Sequence, residues 1–140
     1  IVDPQRRARA ADDAAPGVRA AAAIGASEQE LRVLARDRDP DVRAAALAAL
    51  GDRAGDLAIA AVDDPAPQVR EAALPALTDD DALLRLAGDD EPTIAIAALV
   101  RHASRRGRAS ITTTFLVQLA AAAPHGTERV RIALAWLLAR

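Results

Sequence analysis

Cysteine is absent from the 140-residue chain, which removes disulfides, iron–sulfur clusters, thiolate zinc sites and cysteine nucleophiles together. Histidine is limited to His102 and His125, too few for a His-rich metal cage. Lysine is missing too: all 18 basic residues are Arg, beside 38 Ala, as a GC-rich bacterial genome favours, so its absence carries no functional weight. No apolar run approaches the ~20 residues of a membrane helix, and no charged-then-apolar leader opens the chain. Those absences, with no cysteine, fit a reducing cytoplasm and no membrane. The formal net charge of −2 denies the chain the broad positive field of a general nucleic-acid binder. There is no supported Ser-His-Asp order, no Gly-rich phosphate loop and no metal-ligand spacing. The expectation is a non-enzyme with no cofactor and no metal. Residue 1 is Ile rather than Met, and the closing "AWLLAR" reads like the middle of a helix, which suggests a piece of a longer protein.

What is present is a repeat. "PGVRAAAAI" (16–24), "DPDVRAAALAAL" (39–50), "DPAPQVREAALPAL" (64–77) and "DEPTIAIAAL" (90–99) set a proline, mostly with an acid ahead of it, before an alanine-rich run. Leu31, Leu57 and Leu83 recur 26 apart, as do Asp37, Asp63 and Asp89. Apolar spacings of three and four predict a short helix A before each acid and a helix B after each proline. Asp39 suits an N-cap, Pro40 the first helical position and Gly51 a helix stop. The spacing puts Val42, Ala45, Ala46, Ala49 and Leu50 on one buried face. Helices of two to three turns cannot stand alone in water, so each pair must lean on the next. Arg19, Arg43, Arg70 and Arg131 follow Val, at the margin of that face. A ladder in which each pairs with Asp13, Asp37, Asp63 or Asp89 explains them better than a row of phosphate-binding cations. Pro75 is expected to kink or shorten its helix, and "DDD" at 79–81 to cap the next one.

"LRVLARDRDPDVRAA" (31–45), "LAIAAVDDPAPQVREAA" (57–73) and "LLRLAGDDEPTIAIAA" (83–98) resemble HEAT-like repeats, in particular the short leucine-rich-repeat variant. The resemblance covers about residues 8–100 clearly and 111–140 loosely. It implies an all-α, right-handed α-solenoid of about five two-helix repeats, with some short helices replaced by 3₁₀ turns. These fall near 4–26, 27–52, 53–79, 80–103 and 110–140 of a single domain. The variant's Asn-Pro after helix B is absent, and so are the cysteines that hold an iron–sulfur cluster in one member type, so no cluster is carried over. Some HEAT-like proteins are DNA glycosylases with aromatic-lined faces, for which one Trp and one Phe are too small a stock.

The repeat breaks near "RHASRRGRAS" (101–110), an insertion that holds Arg101, His102, Arg105, Arg106 and Arg108. Insertions often mark a binding face, and clustered Arg suits phosphate or carboxylate. A solvated helix C-terminus explains the same residues. "RRAR" at 6–9 reads as an exposed first helix, and "SITTTFLVQLAAAA" (110–123) as a helix capped by Ser110. Two and six residues after each Val or its equivalent, a helix B points away from the core. Those positions hold Ala20/Ile24, Ala44/Ala48, Glu71/Pro75, Ile96/Val100 and Ile132/Trp136. Ile96, Val100, Ile132 and Trp136 therefore form a candidate protein-interaction patch, covered by a protein partner, the rest of a longer chain, or a second copy through the C-terminal end. The functional expectation is a scaffold that binds protein through its B helices. Arg-dependent binding of nucleic acid or a phosphorylated ligand is the alternative.

Overall fold

The computed structural model describes residues 3–106, all of whose regular structure is helical. The chain divides into two compact units, Ile1–Leu77 and Thr78–Arg140. The division falls two residues before the expected start of the fourth repeat.

The first unit holds three helix pairs: α1 (Pro4–Ala11) with α2 (Pro16–Ala22), α3 (Glu28–Leu34) with α4 (Pro40–Leu50), and α5 (Asp56–Ala61) with α6 (Pro67–Ala73). Within each pair the two helices touch, and α4 packs against both α2 and α6. At six to eleven residues, these helices depend on that packing. Their ends are written locally. Ser27 and Glu30 close a capping box on α3. Asp39 accepts the Asp41 N–H to cap α4, with Pro40 at its first position. Gly51 ends α4 at φ 53°, ψ −133°, a conformation that a side chain disfavours. A 3₁₀ turn, Gly51–Ala54, leads on toward α5. Pro75 has the expected effect. It has no N–H for a further helical bond, and α6 stops at Ala73 and passes into a 3₁₀ turn, Leu74–Ala76.

The core face of α4 differs from the expected one. Val42, Ala46, Leu47 and Leu50 are buried, whereas Ala45 is half-buried and Ala49 exposed. The stripe is turned toward Leu47, where α6 packs on α4 and Leu47 shares a cleft with Leu57 and Val69. Ala46, Ala58 and Ala73 are fully buried, and their small side chains let the backbones approach.

The second unit, as far as it is described, pairs α7 (Asp80–Leu86) with α8 (Pro92–Arg106). Asp79 caps α7 through the Ala82 N–H at 2.8 Å, and Asp80 and Asp81 occupy the first turn, as the acidic run predicts. The first six residues of the expected insertion, Arg101 to Arg106, continue α8 as helix. Among the described residues no helix is long and apolar enough to cross a membrane.

Candidate functional site

The repeated arginines form a connected ladder. Arg19 donates from Nε and Nη2 to the two carboxylate oxygens of Asp37 at 2.8 and 2.9 Å. Its Nη1 donates to the carbonyls of Asp13 and Ala14. Arg43 repeats the pattern one pair later, holding the Asp64 carboxylate at 2.9 and 2.8 Å and donating to the carbonyls of Asp37 and Arg38. Arg70 in turn donates to the carbonyls of Asp64 and Pro65. Each guanidinium thus fixes the turn of its own pair, and Arg19 and Arg43 are seen to clamp the turn of the next as well. The bidentate geometry is the strong form of this interaction. Arg19 is 5% exposed, so no face of it is presented to a ligand.

The acids have a second task. Asp13, Asp37, Asp64 and Asp89 each accept the N–H two residues on, closing a side-chain turn just ahead of helix B. The third acid is Asp64 rather than the expected Asp63. All four stand three residues before Pro16, Pro40, Pro67 and Pro92, so counting back from the proline finds them where counting from helix A does not. Arg19 and the Asp39 N–H hold the Asp37 carboxyl below the usual carboxylate range against its partial burial. Burial pushes Asp64 up, but the Arg43 bonds and the Ala66 N–H outweigh it and leave its pKa lowered.

The outward positions of the B helices fall into two groups. In the first unit Ala20 and Ala44 are half-buried, and Ile24, Ala48, Glu71 and Pro75 are exposed, as the helical count expects. In the second unit the count fails for Ile96, which is 1% exposed, while Val100 is half-buried. A residue covered to that extent offers no open surface to a partner. An α-helix apolar on several sides is buried on several sides, so Ile96 belongs to the core. Ile132 and Trp136 lie outside the described residues.

The arginine-rich candidate is also rearranged. His102 is buried with Nδ1 3.5 Å from Oδ1 of Asp80, so it packs inward and does not face a solvent anion. Arg105 lies 3.8 Å from the same oxygen and donates to the Thr78 carbonyl at 2.6 Å, which commits it to the start of α7. Arg101 is half-buried on α8, Arg106 ends that helix, and Arg108 lies outside the described residues. Of "RRAR", Arg6 and Arg9 are exposed, as expected, but Arg7 is half-buried with Nε 3.7 Å from Glu30. Among the described residues no group of three or more His, Cys, Asp or Glu could hold a metal ion. No protein-family model matches the chain, and neither a curated protein nor a solved structure matches it.

Proposed function

We propose that the chain is a noncatalytic helical-repeat scaffold of the HEAT-like kind, a right-handed α-solenoid whose B helices bind a protein partner. The observation that carries this reading is the open side of α2, α4 and α6. Ala21, Ala48 and Ala49 are exposed there and Ala45 and Ala72 half-buried, with Glu71 the charged residue at the outward positions. A smooth, weakly charged helical surface suits a packed protein interface better than a phosphate backbone. The ladder supports the repeat assignment, because the same Arg–Asp clamp recurs from one helix pair to the next.

Affinity capture from the source cells tests the reading, with the wild-type chain and an Ala45→Arg/Ala48→Arg variant side by side. A protein retained as salt rises from about 50 to 200 mM, and lost with the variant, is the expected result. Retention of nucleic acid that falls steeply over the same salt range, unchanged by the variant, overturns it in favour of phosphate contacts.

A further inference from the structure

Apart from the B-helix surface, a cleft of about 240 Å³ opens on the first unit. Buried Leu47, Leu57, Ala61 and Val69 and exposed Ala60 give it an apolar lining. The volume is below the ~300–1,000 Å³ of pockets that take drug-sized ligands. It suits one aliphatic side chain.

The charges around the cleft are not equivalent. Asp64 is engaged on both oxygens by Arg43 and accepts the Ala66 N–H. Asp56 pairs with Arg32 at 3.2 Å. Arg36, exposed two residues past the end of α3, lines the cleft, and its guanidinium has no hydrogen-bond or ion-pair partner among the described residues. The lining therefore combines an apolar floor, two carboxylates already matched, and one cation that is not. A second cleft, of about 430 Å³, shares Arg36 but adds Arg38 and also Asp12 and Asp13, so its charge selects no sign.

We propose that the smaller cleft is a docking site for a peptide segment of a partner protein in which an aliphatic residue adjoins an acidic one. The aliphatic side chain seats between Leu57 and Val69, and the carboxylate meets Arg36 at the rim. Bringing the acid to an exposed guanidinium costs little desolvation, while the aliphatic group supplies the apolar burial. This inference does not depend on the B-helix reading, since no outward B-helix position lines the cleft.

Amide chemical-shift titration of the full chain tests it with four probes: acetyl-Ala-Glu-Leu-Ala-amide, the same peptide with Gln for Glu, the same with Ala for Leu, and N-acetylleucine anion. The Glu-Leu peptide is expected to shift the amides of Ala35, Leu57, Ala60 and Ala61. The Gln peptide should bind about twofold to fivefold more weakly, the worth of an exposed ion pair. Arg36→Gln should bring the Glu-Leu peptide down to the Gln level, and Ala60→Phe, which fills the mouth, should abolish the shifts of both. Both positions are exposed, so the spectrum of each variant should otherwise be preserved. No shift at millimolar peptide, shifts elsewhere, or equal binding by wild type and Arg36→Gln would overturn the proposal. A response to N-acetylleucine anion without one to the Glu-Leu peptide would also overturn it, by assigning the cleft to small acids.

Discussion

At the scale of single residues, Asp37 shows how one side chain serves two neighbours. Its carboxylate receives Arg19 and the Asp39 N–H, and its carbonyl receives Arg43. Removing Arg43 leaves the part-buried Asp64 carboxylate without its bidentate partner. Hydrogen bonds to charged groups contribute about 1.5–3 kcal/mol each, so Arg43→Ala should destabilise the fold by about 2–3 kcal/mol. Urea melts will read this. Partner capture at a temperature where the variant is folded should persist, because the Arg43 guanidinium is committed to Asp64 and to the carbonyls of Asp37 and Arg38. A cycle with Asp64→Asn should be less than additive by about 1–2 kcal/mol, as for residues in direct contact. Additive losses would mean that the pair is not coupled. The 26-residue period counted from helix A points to Asp63; the count back from Pro67 points to Asp64, and the docked turn shows Arg43 on it.

At the scale of elements, the ends of the helices carry separable contributions. Asp79→Ala removes the side-chain cap of α7 and should cost about 1 kcal/mol, with helix content measured by circular dichroism falling slightly. Gly51→Ala tests backbone strain in isolation. A Cβ at Gly51 would meet nothing within 4 Å, so crowding cannot contribute. Its φ of 53° with ψ near −133° is nevertheless a region that glycine alone adopts readily, and the cost should be about 1–3 kcal/mol. A Gly51→Ala variant as stable as the wild type would show that the turn can relax. These end signals were legible in the sequence because a cap, a proline or a glycine acts within one turn. The rotation of the α4 core face toward Leu47 was not, since it depends on how the neighbouring helices come to rest against α4.

For the whole molecule, the clamped carboxylates make stability depend on pH with a definite sign. Asp37 and Asp64 have folded-state pKa values below their ordinary ones. Their contribution is therefore full above the unfolded value, about 4, and is lost as pH falls through the lower folded values. Thermal melts from neutral pH downward should be flat to about pH 5 and then drop, and Asp64→Asn should make that drop shallower. An acid limb as steep in the variant as in the wild type would place the titrating groups elsewhere. Arg19 and Arg43 remain charged throughout that range, so the two clamps titrate through their carboxylates.

The sequence by itself determined that the described chain is helical, that its helices come in short pairs, and where most of them start and stop. Asp39, Pro40, Gly51, Pro75 and Asp79 do this through their own backbone preferences and through hydrogen bonds spanning a few residues. The tertiary structure decided what meets across the pairs. Arg19 finds Asp37 and Arg43 finds Asp64 at separations of 18 and 21 residues, a choice set by the docking of one turn on another. Docking likewise buried Ile96, turned His102 toward Asp80, and left Arg36 beside an apolar cleft. Periodicity reports the direction in which a side chain leaves its helix. Whether solvent, a carboxylate or another helix waits there depends on the packed neighbours.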